Sequence, residues 1–263
     1  YRLLPLAQVE SELKRVYSLG GNPKQVFLGD GNAFAMDTER LLYILSMVRH
    51  YFPACAMVNL DATVMDVSRK TDTELKQLAE AGLRRLYLGI ESGLPDVLDF
   101  MKKDHRLIEA EHEIDRLQKA GLVYCAHFMT GIAGHGRGKE NAEQLADFFN
   151  RTGPERVINF SLFLNRKAPL YEDILNGTFE PADEVENLKE ACRLIELIDT
   201  DLFYDGFHDA VSFRVWGSLP RDRDKLLRRL DEKIVEYSKK EPRYAFDVQV
   251  QSVIDRNAHL AEV

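Results

Sequence analysis

One apolar run of this chain ends in residue types that can do chemistry. Leu86–Ile90 is followed at once by Glu91, Ser92 and Gly93. Pro95 then suits the first turn of a helix, because a first turn tolerates a residue without an N–H. The pair Glu91-Ser92 therefore lies at the carboxyl end of a predicted parallel strand, where βα-barrel enzymes carry their chemistry. The alternative is a solvated acid at an ordinary strand end.

The same pattern recurs along the chain. Successive strand ends lie roughly 30 to 40 residues apart, which is the length of one strand with its helix. The runs are Gln25–Gly29 before Asp30, Gly31 and Asn32, Ala54–Val58 before Asn59, Leu122–Met129 before Gly131 and Ile132, and Arg156–Phe163, which contains Leu162.

The segments between these runs have the spacing of helices. Apolar residues at helical intervals predict helices over Leu6–Leu19, over a stretch capped by Asp37, and over a stretch capped by Asp72. Further helices are predicted over Leu107–Ala120, over Lys139–Arg151 and from about 183 to 198. Strand and helix alternate, so the sheet should be parallel and covered by helices. The predicted fold is α/β, a partial (β/α)6 TIM-like barrel.

The predicted organisation is a barrel over residues 1–200 and a helical C-terminal extension over 201–263 that packs on the barrel. A βα barrel needs a strand before its first helix, and this chain opens with a helix. We therefore expect the first strand to lie upstream of Tyr1. The 263 residues, 45% of them apolar, suit one such domain with a small appendix.

Composition and net charge limit the classes of binding partner and the cellular compartment that we expect. The net charge of −8 argues against a broad nucleic-acid footprint. No apolar run approaches the length of a membrane span, and no signal peptide opens the chain. The three cysteines, Cys55, Cys125 and Cys192, are far apart and odd in number, so they do not form a disulfide framework, and a reducing, cytoplasmic location is expected. A membrane partner is not expected and nucleic acid is not indicated.

Three of these strand ends resemble the motifs of a known family. Gly29–Asn32, Gly89–Gly93 and Gly131–Gly134 resemble three motifs of the radical S-adenosylmethionine (radical SAM) enzymes. Ala168–Glu172 resembles a further stretch that follows the fifth strand in that family. The likeness is greatest to the Elongator and methylthiotransferase group of radical SAM barrels.

The resemblance implies roles for particular residues. The glycine-rich turn after the first run would hold the methionyl amine, Glu91 and Ser92 would reach the ribose or methionyl part, and Ile132 would wall the adenine. Asn59 either binds the ligand or satisfies its own loop. The implied cofactor-binding residues are Gly29, Asp30, Gly31, Asn32, Asn59, Glu91, Ser92, Gly131, Ile132 and Leu162. For the glycines and Ile132 the alternatives are tight turns and core packing; no catalytic residue is assigned.

One family feature is missing from these residues. The family binds a [4Fe–4S] cluster through a CxxxCxxC loop, and that spacing does not occur in residues 1–263. We expect the loop within about 20 residues upstream of Tyr1, given the usual length of βα connections, and no metal ligand within this chain.

The resemblance implies an enzyme that cleaves SAM to a 5′-deoxyadenosyl radical and acts on an unknown substrate. An electron donor such as flavodoxin or ferredoxin is its expected partner. Two alternatives stay open: a cluster-less barrel that binds a nucleoside-type ligand or a partner, and an ordinary barrel lyase or hydrolase.

Overall fold

The computed structural model describes residues 3–29 and 31–246, in which strands and helices alternate. The strands are β1 (Gln25–Leu28), β2 (Met57–Ala62), β3 (Leu83–Glu91), β4 (Val123–Thr130), β5 (Arg156–Ser161), β6 (Leu202–His208) and β7 (Phe213–Leu219). The helices are α1 (Leu6–Ser18), α2 (Thr38–Tyr51), α3 (Val64–Ser68), α4 (Asp72–Glu80), α5 (Pro95–Phe100), α6 (Leu107–Lys119), α7 (Gly138–Thr152), α8 (Leu170–Leu175), α9 (Glu184–Leu197) and α10 (Arg223–Tyr237).

The strands follow one another in the sheet in chain order, β1 to β7. β1 pairs with β2, β2 with β3 and β5 with β6 in parallel, whereas β6 and β7 are antiparallel. The predicted α/β class with a parallel sheet is confirmed. The sequence revealed five strands from Gln25 onward. The structure adds β6 and β7, so the C-terminal extension contributes strands as well as a helix.

The chain forms two compact units, and β3 and β4 each begin in the first and end in the second. The first unit comprises Tyr1–Gly89 and Ile108–Cys125. Its helix α2 begins where predicted, because the Asp37 side chain accepts a hydrogen bond from the Arg40 N–H at 2.7 Å. Its core is formed by fully buried leucines of its helices and strands: Leu41, Leu60, Leu75, Leu78, Leu86 and Leu88. None of the residues of α1 is buried.

Two predicted boundaries in this unit were wrong. β2 begins at Met57 rather than at Ala54, because the Cys55 N–H still donates to the Phe52 carbonyl in the preceding turn. β2 also ends later than predicted, at Ala62, so Asn59 is inside the strand and does not follow it. The cap of α4 is Thr71 rather than Asp72. Thr71 and Glu74 form a capping box, which satisfies two backbone N–H groups at once.

The second unit comprises Ile90–Leu107 and Ala126–Val263. Helix α9 buries Leu188, Leu194 and Ile195, and helix α10 buries Leu226 and Leu230. A Cβ atom at Gly217 of β7 would lie 3.2 Å from Leu226 Cδ2, so α10 packs closely on β7. Across the described part of the chain, no helix combines the length and the apolar character that a membrane crossing requires.

Candidate functional site

Gly29 and Gly31 lie in the turn that follows β1, in the first unit. Asp30, between them, lies outside the described residues. Gly31 has a φ of 140°, which residues with a side chain rarely adopt, so the turn itself requires glycine there. The Ala33 N–H donates to the Gly31 carbonyl at 3.1 Å and closes the turn. A role for these glycines in ligand binding stays a prediction.

Asn32 ties the same turn to helix α3. Its Nδ2 donates to Asp66 Oδ2, and that carboxylate also accepts from Thr63 Oγ1 at 2.7 Å. Thr63 and Asp66 form the capping box of α3. Asn32 thus holds the turn after β1 in place, a structural task that its position in the sequence does not reveal.

Asn59 offers an acceptor to a ligand. It lies in β2 and is 4% exposed. Its Oδ1 atom has no hydrogen-bond partner among the described residues. Because buried polar atoms are nearly always hydrogen-bonded, an orphan of this kind marks a place where a ligand or a water donates.

Glu91, in the second unit, ends β3 in a strained conformation. Its φ is 68°, in the left-handed region where residues other than glycine are uncommon. Strain of this kind persists where surrounding contacts hold it, and it is frequent at binding sites. Glu91 Oε1 lies 3.1 Å from Lys103 Nζ, and the carboxylate is 18% exposed. Among the described residues this is the one hydrogen bond to the Glu91 side chain, so most of the acceptor capacity of the carboxylate is left to a ligand.

A buried hydrogen-bond network connects the residues after β3 to those after β4. Ser92 Oγ donates to Asn141 Oδ1 at 2.7 Å, and the Gly93 N–H donates to the same oxygen at 2.8 Å. Asn141 Nδ2 donates to Glu190 Oε1 at 2.6 Å. The Gly131 N–H donates to Glu190 Oε2 at 2.8 Å. The structure therefore brings the predicted residues Ser92 and Gly131 into one network.

Asn141 and Glu190, the centre of this network, were not predicted. Glu190 is 2% exposed. Burial raises its pKa from 4.5 to about 7, although the hydrogen bonds from Gly131 and Asn141 act in the opposite direction. Ser92 also accepts from the Leu94 N–H at 3.1 Å. It thus supports the turn before α5, but α5 has no side-chain cap.

A cleft of about 340 Å³ opens beside the loop that follows β4. It is lined by Asp96, Val97, Phe100, Ile132, Ala133, Gly134, His135, Arg137, Thr178, Phe179 and Glu180. Its aromatic wall is Phe100 stacked on Phe179, with ring centroids 5.9 Å apart. The cleft therefore combines apolar and aromatic walls with polar groups at its rim, the usual composition of a small-molecule site.

Ile132 and Leu162 meet beside this cleft. Ile132 is buried with Leu94, Val97 and Ala133, and Leu162 packs against that group. The Leu162 N–H donates to a carbonyl of β4 at 2.9 Å. These residues form an apolar cluster in the second unit; that this cluster lies against an adenine stays a prediction. That all ten predicted residues share one site stays a prediction.

The loop after β4 is anchored to the start of α9. His135 Nδ1 lies 2.8 Å from Glu186 Oε2, and the Gly136 N–H donates to Glu186 Oε1 at 2.9 Å. The hydrogen bond to Glu186 raises the pKa of His135 above its ordinary value. At the other side of the loop, Arg137 pairs with Asp96 at 2.7 Å. These contacts hold the loop over the cleft.

The three cysteines do not fit an iron–sulfur cluster. Cys125 and Cys192 are buried, and burial raises the pKa of the Cys192 thiol to about 12. Cys55 Sγ donates to the Met57 carbonyl at 3.4 Å. A cluster needs thiolates, so these inert thiols are poor ligands. Within residues 3–29 and 31–246, no three His, Cys, Asp or Glu side chains form a group that could hold a metal ion.

One protein-family profile matches the part of the chain that contains the turns after β1, β3 and β4. The profile of the radical SAM superfamily matches residues 1–149. The chain belongs to the radical SAM superfamily. The matched radical SAM region includes the turns after β1, β3 and β4, and it ends before Leu162. No curated protein matches the chain.

Solved structures of three proteins share the radical SAM fold with this chain. Elp3 of the archaeon Methanocaldococcus infernus, with an N-terminal deletion (1–46), is 16% identical with a TM-score of 0.57 over 86% of this chain. Methylornithine synthase (PylB) is 13% identical with a TM-score of 0.54 over 75% of this chain. Coproporphyrinogen III oxidase (HemN) from Escherichia coli, a radical SAM enzyme, is 13% identical with a TM-score of 0.52 over 87%.

The chain spans 58%, 55% and 62% of the length of these three structures, respectively. At such low identity the likeness shows the fold alone. That fold is the partial TIM-like barrel predicted from the sequence.

Proposed function

We propose that this chain is the SAM-binding part of a radical SAM enzyme that cleaves SAM reductively with a [4Fe–4S] cluster. The observation that carries the proposal is the superfamily match over residues 1–149. A reduced cluster of this kind would supply one electron to SAM, and cleavage of the bond between sulfur and C5′ would then give methionine and a 5′-deoxyadenosyl radical. Because Cys55, Cys125 and Cys192 do not fit as ligands, the cluster thiolates come from other residues of the protein.

The residues of this chain bind and orient the nucleoside end of SAM. Glu91 accepts hydrogen bonds from the ribose hydroxyl groups, and a ligand there competes with Lys103. Ile132, with the cleft beside it, provides an apolar wall for the adenine. In the first unit, the orphan Oδ1 of Asn59 is an acceptor available to a ligand donor. The buried network behind Gly131 keeps that turn fixed while the ligand binds.

The partner and the compartment belong to the same proposal. An electron donor such as flavodoxin or ferredoxin would reduce the cluster, and the enzyme would act on its substrate in the cytoplasm. The separation of the three cysteines supports a reducing compartment.

The second candidate is a barrel that binds a nucleoside-type ligand without radical chemistry. The observation that favours it is the lack of a cluster-binding group among the described residues. The two candidates share the nucleoside site and differ in the cluster. Iron and sulfide content after anaerobic reconstitution of the whole protein therefore separates them.

The nucleoside site is tested by calorimetric titration of the reconstituted protein with SAM. Glu91→Ala should weaken SAM binding by about 1.5–3 kcal/mol, the range for a hydrogen bond to a charged group. Glu236→Ala is the matched control, since Glu236 also pairs with a lysine, Lys233, but lies on the exposed side of α10. Equal affinity of the Glu91→Ala variant and the wild type would place Glu91 outside the site.

A further inference from the structure

One face of the β6–β7 pair carries aromatic and charged side chains. The register places Asp205 opposite Trp216 and Phe207 opposite Arg214, and opposed residues of an antiparallel pair share a face. Helix α10 packs on the other face, at Gly217. We call the following set the platform: Arg156, Phe203, Asp205, Arg214, Trp216 and Lys225.

The platform presents a flat aromatic surface. Trp216 stacks on Phe203 with ring centroids 6.2 Å apart and an interplanar angle of 23°. Trp216 is 50% exposed. Arg156 Cζ lies 4.3 Å from the Phe203 ring centroid, and Lys225 Nζ lies 5.9 Å from that of Trp216. An exposed indole on a fixed support can take a second planar ring at small entropic cost, because the surface is already ordered.

The platform is locally positive although the chain carries a net charge of −8. Asp205, 3% exposed, accepts from Arg214 Nε at 2.9 Å and from Arg214 Nη2 at 3.0 Å. Arg156 Nη1 also reaches Asp205 Oδ2, at 3.5 Å. The guanidinium groups of Arg156 and Arg214 thus face one carboxylate, which leaves an excess of one positive charge, and Lys225 lies beside Trp216. Arg214 is half exposed and keeps its third nitrogen for another acceptor.

We propose that the platform binds a nucleotide, with its base on Trp216 and its phosphate at Arg214. The two side chains are two residues apart on one face of a strand, about 7 Å along it, so ring and anion must be joined by a spacer such as a ribose. A phosphate carries about −1.5 to −2 charge, which is opposite in sign to the local excess. The net charge of −8 opposes a long polyanion, so the ligand is a single nucleotide.

This inference deepens the proposed function, on which it rests in one respect: the nucleotide is a part of the substrate. Binding to the platform is measurable without turnover. Uridine 5′-monophosphate is a suitable probe, because its base differs from the adenine of SAM. The whole reconstituted protein is titrated with it by calorimetry in the presence of saturating SAM.

We expect uridine monophosphate to bind, and uridine and ribose 5-phosphate to bind at least tenfold more weakly. Arg214→Gln and Trp216→Leu should each raise the dissociation constant about tenfold or more. Arg15→Gln, which changes an exposed arginine paired with Glu12 on α1, should leave the constant unchanged. Trp216→Phe keeps an aromatic ring and should retain most of the binding. If the leucine variant does not fold, the dissociation constant of the phenylalanine variant tests whether the base stacks on this side chain.

Several results would overturn the inference. Absence of binding, or binding unaffected by Arg214→Gln, excludes the platform as the site. Displacement of uridine monophosphate by SAM assigns the probe to the SAM site instead. An oligouridylate that binds far more tightly than the mononucleotide identifies a nucleic acid as the occupant. SAM affinity and iron content of the same preparation report separately on the proposed function, so its failure is distinguishable from failure at the platform.

Discussion

Glu190 should make the protein less stable as the pH rises from about 4.5 to about 7. Its pKa in the folded chain is about 7, and its ordinary value is 4.5. The unfolded chain therefore gives up this proton more readily than the folded chain does. The stability that the protonated carboxyl contributes is fully present below pH 4.5 and is lost as the pH rises through about 7.

The magnitude follows from the two pKa values. One pH unit of difference corresponds to about 1.4 kcal/mol, so the interval from 4.5 to about 7 corresponds to about 3 kcal/mol in total. Because Glu190 is buried, solvent does not screen its charge, and the full free-energy difference applies. Most of the loss should fall between pH 5 and pH 8.

The assay is urea denaturation of the wild type and of Glu190→Gln at pH 5 and at pH 8. The substitution itself destabilises at both pH values, because an amide N–H then faces the donors of Gly131 or Asn141. The informative quantity is therefore the change of the wild-type-minus-variant difference with pH, which removes that constant cost. We expect this difference to be larger at pH 5 than at pH 8 by about 2–3 kcal/mol.

The matched control is Glu196→Gln, which changes an exposed carboxylate on the same helix, beside Arg193. Its difference from the wild type should not depend on pH in this range. A difference for Glu190→Gln that is the same at pH 5 and pH 8 would refute the reasoning, since it would mean that Glu190 keeps an ordinary pKa when buried.

Two further predictions concern the same loop. Gly131→Ala should destabilise by about 1–3 kcal/mol more than Gly121→Ala, as measured by thermal or urea unfolding. Both glycines have similar positive φ values, 81° and 85°, but a Cβ at Gly131 would lie 2.5 Å from a buried side-chain oxygen whereas one at Gly121 meets nothing within 4 Å. Equal losses would show that backbone strain alone matters. By NMR titration, His135 should have a pKa above 6.5, and Glu186→Gln should lower it. The stability that this pair contributes is present below pH 6.5 and is lost as the pH rises through the pKa of the folded chain; an unchanged pKa in the variant would contradict the assignment.

The order of strands and helices was predictable because the hydrophobic pattern changes its period along the chain. β3, β4 and β5 are long apolar runs that end in glycine or polar residues, and α2 begins with a plain Asp cap. The cap of α4 was predictable in principle, since Thr71 and Glu74 have the spacing of a capping box. Asp72 is also a residue type that caps helices, and the reciprocal partner Glu74 distinguishes Thr71 from it.

β6 and β7 were missed for an electrostatic reason. Asp205 and Arg214 interrupt the apolar pattern, and charged residues in an isolated segment indicate a loop. In the structure they neutralise each other across the strand pair, with Arg214 Nε 2.9 Å from Asp205 Oδ1. The partner that permits a buried carboxylate lies nine residues away on the next strand. A single sequence gives no sign of that pairing before the register is known.

The polar side chains of α9 that support the candidate site lie at a regular spacing, which is visible in the sequence. Glu184, Asn187 and Glu190 stand at intervals of three on the buried face of α9. A carboxylate remains at such a position only where donors compensate its loss of water. Here Ser161 Oγ donates to Glu184 at 2.8 Å, and the Gly131 N–H donates to Glu190 at 2.8 Å. Both donors lie at the carboxyl ends of strands, so polar residues at core spacing on a helix indicate strand ends that the fold must hold in place. The rule identifies the supporting side chains without a ligand, and it predicts that their loss affects the geometry of the strand ends before it affects the core.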